Sequence, residues 1–227
     1  RLLVNDSSSS EYNTHRLTFE KDQSNAYKEL LLVQAGRRTQ IRLLDPPLHE
    51  LFLPTEAAHS SELYAIVGSG HSPRGAQFLQ WPQIYESQIR ALFSAVTDLA
   101  DQGVKSDLHI FIPYVQGVPE VALVKSIAER VNSTEFNGRA RYRLGVTLEV
   151  PAGCGAAANM VKELGITSFA LGTNDLSLLY LGGAARNSPV PAISDYEEGV
   201  PLLARSFISF IQDTIRSIRI AVRETGR

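Results

Sequence analysis

Arg42, Arg74, Glu149 and Asp175 are the residues of this 227-residue chain whose types and placement could do chemistry together. An arginine guanidinium is a planar fork that meets phosphate or carboxylate oxygens in pairs. Two carboxylates with open positions between them suit a hard cation such as Mg2+, which keeps waters and takes substrate oxygens. A cation held there would bind a 2-oxo acid or its enolate and stabilise negative charge as it develops. Gly172-Thr173-Asn174 leads into Asp175, and a glycine lets the backbone come close to a ligand. Each residue also has an ordinary role open to it. Glu149 could be a solvated or capping group, and Asn174-Asp175 a helix N-cap. Arg42 could be the structural partner of Asp45, and Arg74 a loop charge.

What would bring the four together is an alternation of strands and helices. A short helix is predicted over Ala26–Ala35, stopped by Gly36. Thr39–Leu44 is a strand candidate ended by Asp45-Pro46-Pro47, since a double proline cannot continue a ladder. Leu63–Val67 is a weaker strand candidate, followed by a loop that holds Arg74. Pro82–Gln102 has apolar residues at Ile84, Ile89, Leu92, Phe93, Val96 and Leu99, close to the 3.6-residue period of a helix. Leu108–Val115 reads as a strand and Pro119–Val131 as a helix. Leu144–Val150 reads as a strand ended by Pro151, with a helix to Leu164. Ser168–Leu171 reads as a strand ended by Gly172–Asp175. A last helix is predicted over Val200–Glu224, with Phe207, Ile208, Ile211, Ile215, Ile218 and Val222 on one side.

Strands that alternate with helices predict a parallel sheet with right-handed crossovers. The fold class expected is α/β, of the (β/α)8 TIM-barrel type. About five strand candidates are countable, and a complete barrel takes about 250 residues, so an incomplete barrel with its last strands missing is expected. Barrel functional groups sit where strands end, on one face, and that is where Arg42, Arg74, Glu149 and Asp175 fall. Residues 1–25 are polar, contain the run Ser7–Ser10, and read as a lead-in to a domain over 26–227. The chain starts at Arg1 and stops at Arg227 after a helical pattern, so it reads as a piece of a longer protein.

Composition narrows the classes. The net charge is −2, which argues against a nucleic-acid binder. No apolar run reaches the roughly 20 residues that span a bilayer, and no secretory signal is visible. The single cysteine, Cys154, rules out an internal disulfide. A cytoplasmic protein is the expectation.

Four segments carry a resemblance. Ile41-Arg42-Leu43-Leu44-Asp45-Pro46-Pro47-Leu48-His49-Glu50 resembles a signature of the pyruvate, phosphate dikinase group. Gly145–Pro151 and Gly172–Ser177 are similar to two signatures found across phosphoenolpyruvate-utilising enzymes. Pro82–Ala91, with Tyr85-Glu86-Ser87-Gln88-Ile89-Arg90-Ala91, is similar to the helix that precedes the Ile110–Pro113 strand in that family. The resemblance covers roughly residues 26–180, in family order.

The resemblance implies roles position by position. Arg42 and Arg74 would hold the phosphoryl group or the substrate carboxylate. Glu149 and Asp175 would ligate Mg2+. Gly172, Thr173 and Asn174, with Glu149 and Asp175, would line the substrate. The implied reaction is phosphoryl transfer between a phosphohistidine, carried by a separate domain in cis or in trans, and pyruvate, giving phosphoenolpyruvate or the reverse. A homodimer through the barrel is implied as well.

There are departures. Gln77 stands where the family has a further arginine, the segment from Pro54 to Arg74 is short, and Leu178–Gly183 is more apolar than usual. The family cysteine that protonates the enolate carbon lies in a Cys-Gly-Glu segment that these residues do not contain. Cys154 occupies a position the family does not use. The isolated chain is therefore expected to bind rather than turn over. A non-catalytic phosphoenolpyruvate-sensing or partner-binding protein is the alternative, and a metal-dependent 2-oxo acid aldolase or lyase a further one.

Overall fold

The structure, a computed structural model, describes residues 10–45, 82–180 and 200–227, with backbone alone at 200–204. The strand expected at Leu63–Val67, the Arg74 loop and Gln77 lie outside the described residues, as does the apolar stretch beyond Tyr180. Ten elements follow in chain order: α1 Ser10–Val33, β1 Arg38–Arg42, α2 Pro82–Asp101, β2 Asp107–Ile112, α3 Val118–Glu135, β3 Arg143–Leu148, α4 Pro151–Leu164, β4 Ser168–Leu171, α5 Thr173–Tyr180 and α6 Val200–Thr225. The described strands form one four-stranded sheet in the order β1-β2-β3-β4. β1 pairs parallel to β2, and β3 parallel to β4. Each crossover thus advances by one strand, which is compatible with part of a (β/α) barrel. Four described strands do not show a full eight-stranded barrel, so the fold established among the described residues is α/β with a parallel sheet.

The described residues group into two compact units. The first takes in those within Arg1–Phe111 and Leu123–Leu144. There α1 packs along α2. The helix expected from Ala26 begins at Ser10, so much of the polar stretch is helical. Its buried residues are Tyr12, Ser24, Tyr27 and Leu31. Between Tyr12 and Ser24 the same face carries Arg16 and Glu20, paired to each other at 2.8 Å. A stripe half made of charges has little periodic hydrophobicity, which is why the sequence pattern missed it. Arg90 of α2 gathers Glu20, Glu86 and Glu135, and Glu86 also takes Arg130 at 2.6 Å. This network ties α1, α2 and α3 together. Beneath it, Phe93 meets Phe136 edge-on at 5.8 Å and Tyr142 at 4.7 Å. Ion pairs open to solvent contribute about 0.2–1 kcal/mol each, and these are only partly so; burial of α2 on nearly every side adds to them.

The second unit takes in the described residues of Ile112–Ala122 and Gly145–Arg227. Pro151 opens α4 at a position where its missing N–H is no loss. Gly165 closes α4 in the left-handed region (φ 73°), with its N–H on Val161 O and the Ile166 N–H on Met160 O. α6 lies along α4, and its end is pinned there. Lys162 pairs with Glu224 at 2.8 Å, and an Arg227 guanidinium N–H donates to Val161 O at 2.5 Å. Such a cation at a helix C-terminus also meets the negative end of the helix dipole. The buried residues on α6 are Thr214 and Ala221. Of the expected apolar side, Phe207, Ile211, Ile215, Ile218 and Val222 are half-buried and Ile208 faces solvent, while Tyr180 also stacks on Phe210 at 4.6 Å. A packing face centred on small Thr214 and Ala221 lets the helix axes come close, which larger side chains would prevent.

Candidate functional site

β3 and β4 finish level with each other, with Gly145 opposite Ser168 and Leu148 opposite Leu171. The next residues on the two strands are Glu149 and Gly172. The Gly172 N–H donates to Leu148 O at 3.0 Å, which extends the ladder one step further. Glu149 is only 2% exposed. Its side chain lies over Gly172: a Cβ on that glycine would come within 2.7 Å of both Cγ and Oε2 of Glu149. Only glycine lets the carboxylate rest there.

A third strand end completes the hold. After β2 the chain passes Pro113, and Tyr114 takes a left-handed conformation (φ 51°). That is a costly backbone for a bulky residue and is kept only where surrounding structure enforces it. In this conformation the Tyr114 N–H donates to Glu149 Oε1 at 3.2 Å. The loop is clamped from the other side by α4. A Cβ at Gly153 would fall 2.1 Å from Val115 O, so this turn of α4 sits against the backbone of the loop. Sequence reasoning missed both contributors. Gly153 inside a predicted helix was the one available sign, whereas a backbone N–H leaves no trace in residue type.

Gly172 is also the N-cap of α5, since its carbonyl accepts the Leu176 N–H at 3.1 Å. Thr173, Asn174 and Asp175 are thus the first three residues of a helix, so the N-cap open to Asn174-Asp175 falls instead on Gly172. Asp175 stands in the first turn, half-buried, about 4.5 Å along the axis from Gly172 by the helical rise. Thr173 and Asn174 are exposed. The first turn of α5 presents backbone N–H groups, and its dipole favours an anion or a carboxylate.

These residues fit a hard divalent cation. Glu149 is a buried carboxylate with one oxygen steered by a neutral backbone donor, and a second carboxylate stands one helical turn from the glycine beneath it. Mg2+ is held by one or two carboxylates, with waters and substrate filling its other positions. Among the described residues no three His, Cys, Asp or Glu side chains group together as a metal set. Mg2+ does not need such a set.

Arg42 belongs to the first unit. It is the exposed last residue of β1, opposite Phe111. The Leu43 N–H donates to Phe111 O at 2.9 Å just beyond it. The structure brings Glu149, Gly172 and the first turn of α5 together within the second unit. Arg74 lies outside the described residues. Cys154 is buried in the first turns of α4, where desolvation pushes its thiol up to about 11 against a weaker opposing bond with Thr214. No helix among the described residues is long and apolar enough to cross a membrane.

Residues 10–225 match the family of the PEP-utilising enzymes' PEP-binding domain, where PEP is phosphoenolpyruvate. The chain belongs to this PEP-binding domain family. Within it, the chain is similar to the chloroplastic pyruvate, phosphate dikinase of Mesembryanthemum crystallinum, with 31% identity over 185 residues, 70% of this chain and 19% of that one. It is also similar to the pyruvate, phosphate dikinase of Rickettsia prowazekii, with 31% identity over 179 residues, 68% of this chain and 20% of that one. Pyruvate, phosphate dikinase 2 of Zea mays is 29% identical over 185 residues, 70% of this chain and 20% of that one. The chain therefore spans about a fifth of the length of the curated relatives it matches. The segments Ile41–Glu50, Gly145–Pro151 and Gly172–Ser177 all fall inside the matched residues of the PEP-binding domain family.

Proposed function

We propose that this chain binds phosphoenolpyruvate or pyruvate together with Mg2+, as the (β/α) barrel domain of a dikinase-like phosphotransferase. The observation that carries the reading is the buried Glu149 carboxylate, laid over Gly172 and steered by the Tyr114 N–H at the ends of parallel strands. A carboxylate is not taken out of water without a partner or a purpose. Its place at the strand ends is where this class of fold keeps its functional groups.

Glu149 and Asp175 would hold the cation. When bound, Mg2+ would supply positive charge beside the oxygen on which negative charge develops. Arg42 and Arg74 would grip the substrate carboxylate or the phosphoryl oxygens in paired hydrogen bonds. Gly172 would hold Glu149 in place and, with Thr173 and Asn174, form the wall against which the substrate rests. In the direction of phosphoenolpyruvate formation, pyruvate loses a proton from its methyl carbon, and its enolate oxygen takes the phosphoryl group from a phosphohistidine on another domain. In reverse, the phosphoryl group returns to the histidine and the carbon regains a proton. No proton-transferring role is assigned to Cys154, whose thiol is buried in α4.

Thermal unfolding of the 227-residue chain with oxalate, a mimic of the pyruvate enolate, tests the proposal. Oxalate and MgCl2 together should raise the unfolding temperature more than the sum of either alone, because a ligand that binds only the native state stabilises it in proportion to its occupancy. No shift at millimolar concentrations of both would reject it. Binding without any phosphoryl exchange, when the chain is joined to a phosphohistidine domain, would favour a sensing role.

A further inference from the structure

The helix signature Tyr85–Ala91 has no role in the site as drawn, yet its central residue reaches β1. Gln88 is 2% exposed, and both ends of its amide are used. Its Oε1 accepts the Leu44 N–H at 2.9 Å. Its Nε2 donates to the Tyr27 hydroxyl at 2.8 Å, and that hydroxyl donates to Gln23 Oε1 at 2.7 Å. The polarity is fixed from one end. A backbone N–H can only donate, so the amide oxygen must face Leu44 and the amide nitrogen must face Tyr27. The tyrosine oxygen then accepts, and its proton goes to Gln23.

The place of this bond in the ladder gives it a consequence. β1 stays in register with β2 up to Arg42 opposite Phe111, and the Leu43 N–H takes Phe111 O. At Leu44 the acceptor is the side chain of Gln88. Pro46 and Pro47 follow and have no N–H to offer. Gln88 therefore holds the backbone two residues after Arg42, just ahead of the two prolines in sequence. α2 in turn is held to α1 by the Tyr27 bond and by Lys28–Asp98 at 2.5 Å.

We propose that Gln88 is a positioning residue for Arg42: its amide fixes the end of β1 and so sets where the guanidinium stands when it meets an anion. The inference rests on the proposed role of Arg42. It gives the glutamine of this helix a part in substrate binding that it plays without touching substrate. An arginine that must form two parallel bonds at once is sensitive to small shifts of its backbone.

The test compares Gln88→Met with Gln88→Glu by calorimetric titration of oxalate in the presence of MgCl2. Methionine keeps the volume and loses the acceptor. Glutamate keeps an acceptor for the Leu44 N–H and can take the Tyr27 proton on its other oxygen, but it buries a charge. The expected loss for Gln88→Met is about tenfold in oxalate affinity, the scale of one buried hydrogen bond. Gln88→Glu should recover most of it despite unfolding at a lower temperature than Gln88→Met. A merely structural role gives the opposite order, with affinity following stability. The Leu44 amide should also exchange with deuterium faster in Gln88→Met than in the unaltered chain, while amides in the middle of α2 hold. Unchanged affinity in Gln88→Met, or weaker binding in Gln88→Glu than in Gln88→Met, overturns the positioning role. If the unaltered chain binds no oxalate, the proposed function itself falls and this role falls with it. Should Gln88→Met fail to fold, Tyr27→Phe removes the second link alone, and unchanged affinity there together with poor binding by Gln88→Glu also overturns the inference.

Discussion

Two of the groups that place the Glu149 carboxylate bring no side-chain chemistry of their own. Gly172 contributes an absence, and Tyr114 contributes a backbone N–H. Gly172→Ala is the sharpest probe of that arrangement. Its new methyl would overlap Cγ and Oε2 of Glu149, and the flexible end of a side chain can move where backbone cannot. The variant should fold with a small change in unfolding temperature but lose Mg2+-dependent oxalate affinity by about tenfold or more, which is at least 1.4 kcal/mol. Equal affinity in a titration would show that the carboxylate does not need its present place. Cys154 gives a second expectation at this scale. With its thiol near 11 and buried, only about a thousandth would be thiolate at pH 8. A disulfide reagent should therefore leave the native chain unlabelled and label it fully once urea has unfolded it. Fast labelling of native protein would contradict the burial. Of the site residues, Glu149 and Asp175 were legible because carboxylates after short apolar strands stand out, and Gly172 because glycine before a polar run does. Tyr114 was not, since its contribution is a conformation that tyrosine rarely adopts.

Elements were legible where hydrophobic period and stop signals agreed. Ser168–Leu171 was read with the bounds it has, and the end of α4 near Leu164 was legible too, where Gly165 closes the helix that Pro151 opens. No element was predicted where α5 lies, because eight residues are too few to show a period. α1 was read at less than half its length because paired charges fill its packing face. The side of α6 was legible except at Ile208, which is exposed, while its most buried positions, Thr214 and Ala221, are too small to mark a face. Contact between α4 and the Tyr114 loop depends on Gly153. Gly153→Ala meets rigid backbone at Val115 O and should destabilise the chain by about 1–3 kcal/mol in urea denaturation. An unchanged midpoint would mean that the loop yields. His109 supplies a pH test of β2. Burial, more than nearby Arg38 and Arg143, holds its pKa below 6.5, against the opposing pull of Asp107 at 3.2 Å. The native state thus binds fewer protons than the unfolded one between the lowered value and 6.5. That contribution to stability is complete above pH 6.5 and is lost as pH falls toward the lowered value. Denaturation midpoints should show this loss in the unaltered chain and a flatter profile in His109→Gln. Identical profiles would contradict a buried, neutral His109.

The whole chain carries a family identity more plainly than a closed architecture. Its match to the PEP-binding domain runs over residues 10–225, although the described strands are four. The α/β class and parallel order were legible because strands and helices alternate. An incomplete barrel was expected from about five strand candidates, and such counts become unreliable where Pro, Gly and Ser interrupt the pattern, as they do between Pro46 and Pro82. The central claim concerns binding, and it belongs to the chain as it stands. Its most direct test is calorimetric titration of oxalate into the unaltered chain and into Glu149→Ala, each with and without MgCl2. The account predicts heat of binding for the unaltered chain only when Mg2+ is present, and none for Glu149→Ala, with the variant's far-ultraviolet circular dichroism unchanged. Mg2+-dependent oxalate binding that survives in Glu149→Ala would contradict it.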